Sequence, residues 1–431
     1  MSRIDCSPGK SSRAEWIGVL PAGWREVRLK IGLQLITEKA WGDTPKVGLE
    51  NIESWTGRYV ETTTEFEGDG TAFQSGDVLF GKLRPYLAKA MLAEVPGQAV
   101  GDFHVLRPTA EVNGSFALYY LLSRDFISVV DGSTYGAKMP RASWEFMSNL
   151  PLPLPPLPEQ TAIAAFLDRE TRKIDALVEE QWRLIELLKE KRQAVISHAV
   201  TKGLNPNVKM KPSGVEWLGE VPEHWDVCPL VRVADRVVVG IAEAATHAYL
   251  EVGVPILRST NIRAGSIEGE VLHVDPAYAL DRGSKLIRAG DLITVRTGHA
   301  GVTAVVPEHL DQCQCFTMLI TTLTSTMVPN FFCYWLNSVG AKFYFGIEAW
   351  GSAQPNISVP ILKETRSPVP PTEEQYEITR FLDRELSRLD VLMIDAEAAI
   401  GLLRERRAAL ISAAVTGKID ARKATVGTEA A

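Results

Sequence analysis

The chain has 431 residues, 45% hydrophobic and 23% charged, the balance of a folded protein of two or three domains, which excludes a disordered or collagen-like chain or a small disulfide scaffold. Its 46 basic and 53 acidic residues give a formal charge of -7, which excludes a polycation that coats nucleic acid but not a protein that reads DNA through local grooves. The five cysteines (Cys6, Cys228, Cys313, Cys315 and Cys333) include no C-x-x-C pair and are odd in number, which fits a reducing, cytoplasmic setting.

The first ten residues, MSRIDCSPGK, hold no apolar run of the secretory type. Residues 13–150 then carry short runs of Val, Ile, Thr and aromatics broken by Gly and Pro. Val78–Phe80 reads as a strand and Phe116–Ser123 as a short helix. A proline-rich stop follows, from Pro151 to Pro158. Proline bars helix upstream and permits it downstream, and Glu159 suits the positive end of a helix dipole. No Pro or Gly interrupts residues 159–202, and Leu167, Ile174, Leu177, Leu184, Leu188 and Val195 suggest a seam of heptad type. At 1.5 Å per residue this is a rod of about 63 Å.

The chain then starts again. Glu15-Trp16-Ile17-Gly18, Pro21 and Trp24 recur as Glu216-Trp217-Leu218-Gly219, Pro222 and Trp225. Asn51-Ile52 recurs as Asn261-Ile262, and Gly76-Asp77-Val78-Leu79 as Gly290-Asp291-Leu292-Ile293. Residues 214–366 read as a second domain of the same kind, with strands at Val254–Leu257, Leu292–Val295 and Cys315–Leu323 and a helix near Phe331–Ser338. The uncharged stretch from Gln312 to Ala341 is long enough to span a bilayer, but its threonines, Pro329 and two asparagines favour buried strand and helix. A second proline stop at Pro368–Pro371 leads into a second helix, with Leu382, Leu389, Leu392, Leu403 and Leu410 on its seam and Gly401 as a weak point. Residues 159–201 align with 374–416 without a gap, at 21 identical positions of 43. Divergent fronts with nearly constant backs suggest that the backs share one task and the fronts perform two. Two such helices most simply wrap around each other.

Motifs for chemistry are missing. There is no G-x-x-x-x-G-K-[ST], no G-x-S-x-G, no Asp-x-Lys or Glu-x-Lys nuclease core and no Asn-Pro-Pro-aromatic methyltransferase site. His309, Cys313 and Cys315 lack a fourth zinc ligand at usual spacing, and the cysteines read as core.

The duplicated plan resembles the specificity subunits of type I restriction-modification systems. The resemblance rests on Leu152 to Gln160 running into Phe166-Leu167-Asp168, on the Glu216 to Trp225 block, and on Gly76 to Phe80 with Arg84-Pro85-Tyr86. It implies an α+β fold with a pseudo-two-fold internal repeat: two similar target recognition domains joined by two long helices in an antiparallel coiled coil. The expected segments are domain 1 at 1–157, a spacer helix at 158–204, domain 2 at 205–371, a second spacer helix at 372–420 and a disordered tail at 421–431. It also implies double-stranded DNA with a bipartite target as ligand, and two methyltransferase subunits plus motor-nuclease subunits as partners, with no membrane involved. This chain would be non-catalytic, with S-adenosylmethionine, ATP and magnesium on the partners. A structural adaptor that binds protein but not DNA is the alternative.

Base-edge contacts require Arg, Lys, Asn or Gln on loops. The turn after the Gly-Asp strand offers Lys82, Arg84 and Tyr86, and in the second copy Arg296. The loop before the proline stop offers Lys138 and Arg141, and in the second copy Gln354 and Asn356. Arg141 and Asn356 hold the same place in the repeat, suited to guanine and adenine respectively. Asn51 and Asn261 complete the candidate set, although a turn role is the stronger reading for both. The paired tryptophans read as core anchors.

Overall fold

The computed structural model describes residues 10–42, 44–64, 66–134, 138–242, 248–280, 285–348 and 356–420. The chain forms two compact units, Met1–Trp182 with Glu397–Ala431, and Arg183–Ala396. The linear segmentation expected from the sequence is thus regrouped, because each long helix contributes one part to each unit. The tail expected at 421–431 lies outside the described residues.

Each unit is built on a four-stranded antiparallel sheet of the same topology. In the first the order is Leu33–Ile36, Phe103–Pro108, Val78–Gly81 and Ala90–Leu92. In the second it is Ala234–Val239, Leu319–Leu323, Leu292–Thr294 and Thr303–Val305. The strands of the Gly-Asp motif are buried on both faces. Val78 and Phe80 enter one hydrophobic core while Leu79 enters another, and Leu292 and Ile293 divide in the same way. Double burial explains why these strands are continuous apolar runs with no alternation. The motif's Asp is buried in both copies and closes the turn before the strand. Asp77 accepts from Gln74 N at 2.8 Å, and Asp291 from Arg288 N at 2.9 Å. Each also meets an arginine, Arg107 at 2.8 Å and Arg236 at 2.9 Å, supplied from different strands in the two copies.

The long helices are Leu157–Lys202 and Thr372–Val415, about 69 and 66 Å of rod at 1.5 Å per residue. Within each unit the two helix segments run antiparallel. Asp175 pairs with Arg407 at 3.0 Å in one unit, and Arg192 with Asp390 at 2.7 Å in the other. The two pairs are repeat equivalents, displaced by 215 residues. The helices are fastened to their domains by constant residues. Tyr119 donates to Asp168 at 2.7 Å, and Tyr334 to Asp383 at 2.6 Å. The Gln that follows the proline stop is fully buried in both copies. Gln160 accepts from Asn113 N at 2.8 Å, and Gln375 from Val328 N at 2.9 Å. The tryptophan blocks receive helix ends: Trp24 packs in one core with Ile411, Ala414 and Val415, and Trp225 in the other with Ile196, Ala199 and Val200.

Several sequence expectations are corrected. Leu177, Leu184 and Leu392 point outward, 44%, 41% and 49% exposed. The expected seam residues Leu167, Ile174, Leu188, Leu382 and Leu389 are buried, and the seam is completed by Thr171 and Ile185 on the first helix and by Leu386, Ala396 and Ile400 on the second. Polar Thr171 within the 3-4 spacing disguises the phase. Gly401 does not interrupt its helix. The run Cys315–Leu323 is two strands, Gln314–Cys315 and Leu319–Leu323, which belong to different sheets; Thr317, at φ +28°, turns the chain between them. The proline stops are themselves partly strand: Pro151–Leu154 pairs with Arg25–Arg28, and Arg366–Val369 with Asp226–Pro229. Prolines at alternate positions, Pro151 and Pro153, turn their missing donors to one edge. Cys313 and Cys315 are core residues, and burial pushes the Cys313 thiol up to about 12. Among the described residues no helix is long and apolar enough to cross a membrane.

Candidate nucleic-acid interface

In both units the two loops singled out in the sequence meet edge to edge. In the first unit Leu83 and Arg141 form an isolated antiparallel bridge, with Arg84 N donating to Pro140 O and Ala142 N to Lys82 O, each at 2.8 Å. In the second unit Thr297 and Asn356 form the corresponding bridge, and Ile357 N donates to Arg296 O at 3.0 Å. The main chain of the fold thus carries the side chains that follow the Gly-Asp strand and those that precede the proline stop to one place.

The first unit holds Arg84 at φ +50° and Ala88 at φ +47°, flanking the turn Pro85–Leu87. Two non-glycine residues in the left-handed region are uncommon and locally strained. They present Arg84 and Tyr86 at the surface, both exposed. Lys138 is exposed as well. In the second unit glycines take the left-handed positions, Gly298 and Gly301 at φ +80° and +88°.

A residue absent from the candidate set organises the first site. Asp102 meets Arg141 Nη2 at 3.0 Å and Lys82 Nζ at 3.8 Å. Beneath it the buried imidazole of His104 donates from Nε2 to Ala142 O at 3.0 Å, and burial lowers its pKa, which favours the neutral ring. In the second unit Arg296 Nε donates to Asn356 Oδ1 at 2.9 Å. Two sequence candidates are therefore bonded to each other. Gln354 lies outside the described residues.

Asn51 and Asn261 leave the contact set. Both are buried, and both use their side chains to close the same turn. Asn51 Oδ1 accepts from Gly48 N at 3.0 Å and Nδ2 donates to Val60 O at 3.1 Å. Asn261 Oδ1 accepts from Arg258 N at 3.0 Å and Nδ2 donates to Glu268 O and Glu270 O, each at 3.0 Å. Base edges cannot reach amides that are enclosed and already satisfied. Asn51→Ala and Asn261→Ala are expected to lower stability by about 1–3 kcal/mol each, the cost of stranding buried backbone groups, and to leave base preference unchanged. Thermal melts beside maps of methylated sites check this; a changed target sequence without lost stability contradicts it.

Sequence reasoning missed Asp102 because an acid is an unexpected member of a cluster sought for base contacts, and because its partners lie 20 and 39 residues away. The one available signal was its position immediately before a strand of the central sheet.

Residues 42–186 match the family described as type I restriction modification DNA specificity domain. The chain is 22% identical over 313 residues to the EcoBI specificity subunit of Escherichia coli, covering 70% of this chain and just under two thirds, 66%, of that protein. It is 25% identical over 303 residues to the MjaVIII specificity subunit of Methanocaldococcus jannaschii, covering 68% and 67% of the two chains. It is 23% identical over 430 residues to the putative MjaX specificity subunit of the same organism, covering 94% and 95%. The fold is shared with a chain solved in work on complex assembly and conformational transition of the type I R-M system, at TM-score 0.75, 20% identity and coverage of 93% and 99%. It is also shared with the HsdS subunit from Thermoanaerobacter tengcongensis, at TM-score 0.55, 20% identity and coverage of 93% and 98%. With the duplicated fold and its paired loop sites, these matches lead to one conclusion: residues 42–186 form a type I restriction modification DNA specificity domain, and the chain as a whole is similar in sequence and fold to specificity subunits of type I restriction-modification systems.

Proposed function

We propose that the chain confers DNA sequence specificity on a methyltransferase complex, each unit reading one half of a bipartite site. The observation that carries this reading is the repeated meeting of two loops, Leu83 with Arg141 and Thr297 with Asn356, at which the same backbone bridge displays different side chains. A constant scaffold with exchanged polar tips is what two half-sites of different sequence require. Lys82, Arg84, Lys138 and Arg141 serve the first half, with Tyr86 as a stacking or phosphate partner, and Arg296 and Asn356 serve the second. The long helices set the spacing and dock two methyltransferase subunits through outward residues such as Leu184 and Leu392, both exposed. The chain itself is non-catalytic; S-adenosylmethionine, and ATP with magnesium for motor-nuclease subunits, belong to those partners. Because the net charge is -7, the partners also supply much of the attraction for phosphate.

The test is half-site relaxation. Arg141→Ala is expected to relax one half of the target by about 1–3 kcal/mol per lost base contact, and Asn356→Ala the other half. Mapping methylated sites after co-expression with the methyltransferase reads both. Relaxation of the same half in both variants, or uniform weakening without relaxation, counts against the assignment.

A further inference from the structure

Among the described residues the two sites differ in their hydrogen-bonding character. In the first, the Asp102 carboxylate lies between the cationic heads of Lys82 and Arg141, so that site offers acceptors as well as donors. In the second, the strand register that places His104 beside Phe80 places Leu319 beside Thr294. The place of Asp102 is then held by Thr317, which is exposed and carries no charge. There the Arg296 Nε–H already donates to Asn356 Oδ1 at 2.9 Å.

Counting the groups of that pair decides its preference. A guanidinium has five N–H donors and no acceptor; a carboxamide has two N–H donors and one oxygen. With Nε–H and Oδ1 joined, the pair retains the four N–H of the guanidinium end and the two of Asn356 Nδ2. Its one oxygen adjoins a positive charge. An amide reading adenine must accept from the exocyclic N6 amine while donating to N7. Here that amine would sit against an oxygen already polarised by a cation, with its own partial positive charge facing the guanidinium. Guanine presents two acceptors, O6 and N7, and no donor on the same edge.

We infer that Arg296 and Asn356 act as one donor-rich fork whose target is guanine, and that Asp102 makes the first site the one that reads a base with an exocyclic amine on its major-groove edge, cytosine or adenine. This rests on the proposed reading of half-sites by the two units and adds the base class at each. It also reverses the adenine preference that Asn356 suggests when taken alone. Asp102 is on this account a specificity-determining residue, not only a brace for Arg141.

The test exchanges the two characters by isosteric substitution in the full chain, co-expressed with its methyltransferase subunit, with methylated sites mapped. Asn356→Asp supplies a carboxylate where the second site has an amide. It should change one position of one half-site, guanine in the parent target, by about ten- to a hundredfold towards cytosine or adenine, the range of one good base-edge contact. Asp102→Asn should move one position of the other half-site, cytosine or adenine in the parent, towards guanine by a similar factor. Arg296→Gln, which removes the cation and leaves the loop length intact, should admit adenine at the position that Asn356→Asp alters, and gives the same readout if Asn356→Asp folds poorly. An adenine, cytosine or thymine in the parent target at the position answering to Asn356, or an unaltered target in folded, active variants, overturns the inference. Half-site relaxation in Arg141→Ala together with such a result would leave the two-unit reading standing, whereas a parent complex that methylates with no bipartite preference sinks that reading itself.

Discussion

Replacing Arg407 by alanine is expected to destabilise its unit by about 3–5 kcal/mol, while the same change at Arg192, its repeat equivalent, costs at most about 1 kcal/mol. The difference lies in what surrounds two otherwise matched ion pairs. Arg407 is 8% exposed. Besides meeting Asp175 at 3.0 Å it donates to Trp55 O at 2.6 Å and to Thr56 O at 3.2 Å. Its loss leaves a largely enclosed carboxylate, with Arg58 at 3.7 Å beside it, and two carbonyls stripped of this donor. Arg192 and Asp390 have side chains 32% and 47% exposed, so water replaces either partner at little cost. Thermal midpoints of the two variants, with amide exchange at residues 53–58, separate the cases. The Arg407→Ala chain should lose protection in that loop, where Trp55 sits at φ +68°. Equal losses for the two variants would show that burial is not what distinguishes them.

A paired insertion of seven residues, after Glu180 in the first long helix and after Asp395 in the second, is expected to lengthen the unread gap of the DNA target by about three base pairs. Seven residues add roughly 10 Å of helix, and DNA rises about 3.4 Å per pair. A whole heptad keeps the buried stripe in phase, and the points lie near where each helix passes from one unit to the other. Inserting in one helix alone would shear the Asp175–Arg407 pair against the Arg192–Asp390 pair. The half-site sequences should persist, since no loop of either site is touched. Methylation maps of the inserted chain, co-expressed with its methyltransferase, give the gap directly. An unchanged gap at full methylation would assign the spacing to the partner subunits instead.

Much of this architecture was legible in the sequence because duplication writes each structural demand twice. Trp24 and Trp225, Asp168 and Asp383, and Gln160 and Gln375 recur because each fastens a helix to a domain core. The heptad phase was partly obscured. Thr171 occupies a seam position while Leu177 and Leu184 face outward, and composition alone favours leucine as the buried residue. The split at Thr317 was hidden because both flanking strands are uncharged and almost wholly buried, so no change of pattern marks the turn. At the candidate sites the loops were legible and the pairings were not. Arg107 and Arg236 reach the repeated Asp from different strands, and Asp102 has no acidic counterpart in the second copy. Such partnerships are set by tertiary approach, which a one-dimensional repeat does not record.

The fastening contacts carry an implication for how new specificities arise. Tyr119–Asp168 and Tyr334–Asp383 are interchangeable docks, and the Gln160 and Gln375 anchors are equally alike. The helix-borne partners, Asp168, Asp383, Gln160 and Gln375, lie within the tracts that share 21 of 43 residues. Genetic crossover between those tracts would join the front of one gene to the back of another without disturbing a dock or an interhelical ion pair, since Asp175 and Asp390, like Arg192 and Arg407, hold equivalent places. On the proposed function, recombination would shuffle whole loop-bearing domains between lineages, each arriving with its fittings already matched, and a host population would change its methylation signature in one step rather than by gradual remodelling of a loop.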